Sequence, residues 1–135
     1  MAIDIEAFKE LGRNRLPGLL GIEVDEVERG RARMRLPLRD ELLAPNGYLH
    51  AGTVVGLADS ACGYGCIASL PEGAYGFTTI ELKTNFLGTA LEGTLSCASD
   101  LVHGGRTTQV WDATVTNEAG KALALFRCTQ LLLYR

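Results

Sequence analysis

Between Glu41 and Glu72 the chain carries one formally charged side chain, Asp59, set in Val54-Val55-Gly56-Leu57-Ala58-Asp59-Ser60-Ala61. Aspartate is a poor mid-helix residue, and a buried carboxylate without a partner costs several kcal/mol or takes up a proton. No Lys or Arg lies in this stretch to pair it. Asp59 is therefore either tied to a neighbouring segment or kept for chemistry, and the burial cost favours chemistry. A carboxylate so placed attacks a carbonyl carbon or draws a proton from water. For water attack at neutral pH it must be ionised, which calls for partial solvation or donors from a helix end. His50 stands nine positions earlier, directly before the apolar run. There the free N–H groups and positive dipole end of a helix would favour a developing oxyanion. A loop histidine alone serves equally well as a brace, and His103, in a turn, is read as structural.

Ala51 and Asp59 are eight residues apart, about 12 Å along one helix at 1.5 Å per residue. They cannot serve one substrate atom from the same chain. If a helix N-terminal amide polarises a carbonyl while the carboxylate acts on it, two antiparallel helices of a two-fold dimer must supply them. The chemistry predicts a homodimer.

The elements that position these groups follow from periodicity. Ile5, Phe8 and Leu11 recur at three-residue steps within Asp4 to Asn14, predicting a short amphipathic helix stopped by Gly12 or by Leu16-Pro17-Gly18. From Ile22 the period changes to two, and Arg31-Ala32-Arg33-Met34-Arg35-Leu36 reads as a strand with one wet face, turned at Gly30. Its arginines read as a solvated face and are given no role. Pro45 and Asn46-Gly47 mark a loop, and Ala51 to Leu70 reads as a buried helix ended by Pro71. Gly52, Gly56 and Gly63 interrupt it at a cost of roughly 1 kcal/mol each, so something must approach closely there. Four strands follow, Phe77 to Leu87, Thr94 to Val102, Thr107 to Thr116 and Ala122 to Leu133. Their short connections predict consecutive antiparallel neighbours. The sum is an α+β fold in which a curved antiparallel sheet wraps a long central helix.

At 135 residues and 14.5 kDa the chain makes one domain, residues 1 to 135. A net charge of -3, with no Lys/Arg cluster, argues against nucleic-acid binding. Cys62, Cys66, Cys97 and Cys128 sit in apolar stretches without CxxC or Cys/His spacing, so they read as reduced, buried thiols and not as a zinc site. The N-terminal residues lack an apolar signal core, and no apolar run nears the roughly 20 residues that span a bilayer. A cytoplasmic protein with no membrane association is expected.

His50-Ala51-Gly52-Thr53-Val54-Val55-Gly56-Leu57-Ala58-Asp59 resembles the His-Gly-Gly…Leu-Ala-Asp signature of hotdog-fold acyl-CoA thioesterases. Within them it is most similar to the phenylacetic-acid-degradation group, related to 4-hydroxybenzoyl-CoA thioesterase. Ile80 to Leu87, and Gly105-Arg106-Thr107 through Arg127, are similar to that family's later strands, so the match covers roughly residues 16 to 133. The resemblance implies hydrolysis of a thioester. The amide of Ala51, the residue after His50, would polarise the carbonyl, and Asp59 of the facing subunit would act as nucleophile or general base. It further implies substrate contacts at Gly52, Asn85, Gly105 and Arg106, and a water-positioning hydroxyl at Thr79, which as a β-branched residue equally well fills a strand.

Two departures stand out. Ala51 replaces the family's first glycine, keeping the N–H but adding a methyl group. Ala44 stands six residues before His50, where relatives usually carry Asn or Gln, while Asn46 stands four before it. Either Asn46 takes over that polar contact or the contact is missing.

The expected protein is thus a thioesterase for a medium acyl-CoA or aryl-CoA. It is dimeric in its functional unit and assembled as a dimer of dimers, and coenzyme A enters only as part of the substrate, with no metal or other cofactor. A non-catalytic acyl-CoA-binding or ligand-sensing hotdog protein is the alternative, supported by Ala44. A hydratase or dehydratase is ranked last, for want of a second histidine near the helix.

Overall fold

A computed structural model of the chain describes residues 3–135. Asp4 caps the first helix, α1 (Ile5–Leu11), through its side-chain oxygen, which accepts from the Glu6 and Ala7 amides. Phe8 is buried, but Leu11 is half exposed, so the apolar stripe expected there is shorter by one residue. Leu16-Pro17-Gly18, read from sequence as a stop, instead opens a second short helix, α2 (Leu16–Leu20), with Pro17 in its first turn. Proline is tolerated there because those N–H groups have no helical acceptor.

Strands β1 (Glu23–Glu28) and β2 (Arg31–Pro37) form a hairpin around Gly30, whose φ of +85° suits glycine. The β2 arginines point away from the core and pair with acids. Arg35 holds Asp25 at 2.8 and 2.9 Å, Arg31 meets Glu26, and Arg33 reaches Asp100 and the Ser99 carbonyl. At this exposure such pairs contribute little, about 0–1 kcal/mol each.

The long helix α3 (Ala51–Ala68) ends at Ser69, whose hydroxyl donates to the Gly65 carbonyl. It is followed by β3 (Ala74–Phe86), β4 (Thr94–Gly104), β5 (Thr108–Thr116) and β6 (Ala122–Tyr134). The sheet is antiparallel, in the order β1-β2-β4-β5-β6-β3. One expectation fails here: β3 and β4 are not neighbours. β3 pairs with β6 at the far edge. The physical reason is reach. The three inter-strand steps from β3 to β4 span about 14 Å, well within the roughly 23 Å available to seven extended residues.

Helix α3 lies across the concave face, in contact with every strand. Leu57, Ala58, Ala61, Cys62 and Cys66 are fully buried against inward residues such as Met34, Leu95, Trp111 and Cys128. The close approaches expected at its glycines are side chains. A Cβ at Gly63 would lie 2.8 Å from the Phe77 ring, one at Gly56 2.8 Å from Leu20, and one at Gly65 2.5 Å from Trp111. All four cysteines are free and buried, and burial pushes the thiols of Cys66 and Cys97 up to about 12. Among the described residues no helix is long and apolar enough to cross a membrane. No group of three His, Cys, Asp or Glu among them could hold a metal ion.

Candidate active site

Two clusters of chemistry-bearing groups lie along α3. The first is its N-terminus. His50 is the N-cap, and its Nδ1 accepts from the Gly52 amide at 2.7 Å, which fixes the proton of the neutral ring on Nε2. A Cβ at position 52 would sit 2.9 Å from that nitrogen, so Gly52 makes room for the cap. The Thr53 and Val54 amides donate to the His50 carbonyl. Ala51 N–H is left with no acceptor among the described residues, on an exposed helix end. The Thr53 hydroxyl donates to the buried Leu42 carbonyl at 2.8 Å and anchors the helix start to the preceding loop.

The second cluster lies two turns on. Asp59 is half buried and has no salt bridge among the described residues. Thr79, on the inner face of β3, approaches it with Oγ1 at 2.9 Å from Asp59 Oδ1. Burial pushes the Asp59 carboxyl above its ordinary value, and the Thr79 hydrogen bond draws it partway back. The donor is therefore a strand hydroxyl and not a helix end. Thr79 Oγ1 is also 2.8 Å from Oε1 of Gln130, a fully buried residue directly across the ladder. Sequence reasoning passed over Gln130, although strict alternation along Phe126, Cys128, Gln130 and Leu132 puts it on the inner face.

The remaining candidates are dispersed. Asn46 is exposed, and its Oδ1 accepts from the Tyr48 amide at 3.1 Å, closing the loop's own turn. Ala44 is held by both backbone groups in that loop, its amide to Tyr48 and its carbonyl to Gly47. Asn85 lies opposite Leu125 on the sheet face turned away from α3. Gly105 and Arg106 form the β4–β5 turn, where Gly105 N–H donates to the Thr108 carbonyl and Tyr134 Oη donates to the Arg106 carbonyl. Within one chain the fold joins Asp59 to Thr79 and His50 to Ala51 and Gly52, but brings neither group to Asn85, Gly105 or Arg106.

A six-stranded antiparallel sheet curled around one long helix, with a lone carboxylate in that helix and an unsatisfied amide at its start, defines a hotdog-fold protein. The model of the Thioesterase superfamily matches residues 46–124, more than half of the chain, and the chain belongs to that family. It is a thioesterase, an enzyme that hydrolyses thioesters. The 1,4-dihydroxy-2-naphthoyl-CoA hydrolase of Listeria monocytogenes is 34% identical over 110 residues, 82% of this chain and 89% of that protein. The acyl-coenzyme A thioesterase PaaI of Escherichia coli is 29% identical, over 80% of this chain and 75% of its own. Among solved structures, a mutant of thioesterase PA1618 from Pseudomonas aeruginosa superposes with a TM-score of 0.93 at 26% identity, covering 100% of this chain and 97% of its own.

Proposed function

We propose that this chain hydrolyses a medium acyl-CoA or aryl-CoA thioester to the free acid and coenzyme A, at a site shared by two subunits. The observation that carries this reading is that, among the described residues, α3 holds both a half-buried carboxylate at Asp59 with no salt bridge and an amide at Ala51 with no acceptor. Ala51 N–H of one subunit binds the thioester oxygen and stabilises the oxyanion as it forms. Asp59 of the facing subunit, with Oδ1 held by Thr79, takes a proton from the attacking water and returns it to the leaving thiolate. Single turnover in ¹⁸O-water distinguishes this from direct attack by Asp59 through an anhydride that water opens at the Asp59 carbonyl, which would deposit ¹⁸O in the Asp59 side chain and leave the product acid unlabelled.

The two-fold assembly rests on reach and on surface. Ala51 and Asp59 are about 12 Å apart along one helix. The edge strand β3 exposes Ile80, Leu82 and Phe86, and an open apolar edge invites a second strand. We extend this to a dimer of dimers, with no metal or redox cofactor. The four free thiols suit a cytoplasmic setting.

The aryl branch of the substrate class draws on the name of the Listeria relative, and the acyl branch on that of PaaI. Turnover against a panel of acyl-CoA and aryl-CoA thioesters, followed by thiol release, tests the reading. A second reading, CoA-ester binding without hydrolysis, draws on the loop before His50, where Ala44 is apolar and the Asn46 carbonyl is already engaged. Measurable ester binding with no turnover of any panel member would establish it instead.

A further inference from the structure

The chain has two glutamines, Gln109 and Gln130, both buried and directly opposite each other on β5 and β6. Their amides are held differently. Gln109 Oε1 accepts from the Trp111 indole N–H at 2.8 Å, and its Nε2 donates to the Ser69 carbonyl at 2.9 Å. An obligate donor on one side and an obligate acceptor on the other fix that amide. Gln130 lies between the Thr79 hydroxyl at 2.8 Å and Cys128 Sγ at 3.4 Å. Each of these groups can donate or accept, so nothing in its surroundings fixes which end of the Gln130 amide faces Thr79.

Thr79 has one hydroxyl proton but two oxygens within reach, Asp59 Oδ1 at 2.9 Å and the Gln130 amide oxygen. We propose that Gln130 is a positioning residue whose amide turns over as Asp59 gains or loses its proton, with the Thr79 hydroxyl as the link. With Asp59 ionised, Gln130 Nε2 donates to Thr79 Oγ1 and Thr79 donates to the carboxylate. With Asp59 protonated, the carboxyl donates to Thr79, Thr79 donates to Gln130 Oε1, and Nε2 turns to Cys128 Sγ. Every atom keeps its proton except Asp59, and in each state the Thr79 hydroxyl and one Nε2 hydrogen of Gln130 have an acceptor. The titratable groups beside this chain of contacts are the thiols of Cys62 and Cys66 on α3, Cys97 on β4 and Cys128 on β6. Burial holds the Cys62 thiol well above its ordinary value, and thus neutral. The inference rests on Asp59 as the group that exchanges protons, and not on hydrolysis of any ester.

Glutamine-selective ¹⁵N labelling gives two side-chain amides, one of them an internal control. In the wild-type protein the Gln130 amide resonances should move with pH at the same midpoint as the Asp59 side-chain ¹³C carboxyl, while those of Gln109 stay still. In Thr79→Val, Asp59 should still titrate but Gln130 should no longer respond. Gln130→Met, close in volume, removes the acceptor for Thr79 in the protonated state. A stranded donor costs more than a stranded lone pair, so the Asp59 midpoint should fall by about 0.5–1 pH unit. The same substitution in the Thr79→Val background should leave it unmoved. Gln130 resonances that stay constant through the Asp59 titration, or a Gln130→Met shift undiminished without the Thr79 hydroxyl, would overturn the proposal. Absence of thioester turnover would leave these outcomes unchanged, so the two readings fail separately.

Discussion

Asp59 sits where a carboxylate is expensive, and this has opposite consequences for stability and for chemistry. Its carboxyl titrates above the ordinary value because it is half buried. An acid raised in the native state binds more protons folded than unfolded, so stability falls as pH rises from the unfolded value of 3.8 through the native one. Asp59→Asn removes that term. At pH 7 it should raise Tm, a gain that disappears below pH 3.8, where both states are protonated. The same substitution should lower kcat by about 10²–10⁴ with ligand binding retained; activity within a few-fold of wild type would move the assignment to the binding reading. Thr79→Val deletes the hydrogen bond that opposes burial, so the acid limb of the kcat/KM profile should shift to higher pH. An unmoved limb would show that Thr79 only fills the strand.

At the scale of elements, α3 is built to be approached closely. Gly65 lies under Trp111, whose indole is held by Gln109, so the ring cannot retreat from an added methyl group at 2.5 Å. Gly65→Ala should therefore destabilise the fold by about 1–3 kcal/mol in urea unfolding, although alanine improves helix propensity by about 1 kcal/mol. A stabilised variant would mean that the helix shifts to absorb the clash. The start of α3 makes a different demand. There only a backbone N–H is required, so Ala51→Gly should keep its activity, whereas Ala51→Pro, tolerated in a first turn, should lose about 10²–10³ in kcat. Equal activity of the two variants would rule out the amide as an oxyanion donor.

At the scale of the whole molecule, the proposed site exists only between subunits. Mixing Ala51→Pro and Asp59→Asn subunits after reversible dissociation should restore activity from two inactive parents. One site of each mixed dimer inherits both lesions and the other neither. Random exchange makes half the dimers mixed, so recovery should approach about a quarter of wild type. If one chain supplied both groups to one site, every site would carry a lesion. Continued inactivity, with mixed dimers verified by native mass spectrometry, would then refute the shared site.

Local pattern alone was enough for most elements. The alternation along β2, β5 and β6, Gly30 as a turn, and the placing of Asp59 inside one apolar helix follow from side-chain period and turn chemistry, which nearest neighbours in sequence decide. The unpaired charge of Asp59 was legible for the same reason, since no basic residue lies within a helical turn of it. Tertiary structure decided what depends on partners distant in sequence. The α2 helix forms where Pro17 and Gly18 read as a stop. The β3 strand crosses to the edge beside β6, because a seven-residue connector reaches farther than a hairpin needs. Thr79 meets Asp59 across 20 positions and Gln130 across 51, separations at which no local period carries information. The bulge between Thr79 and Glu81 shifts the register of β3 against β6. The groups that tune the carboxylate thus come together only when the sheet closes around the helix.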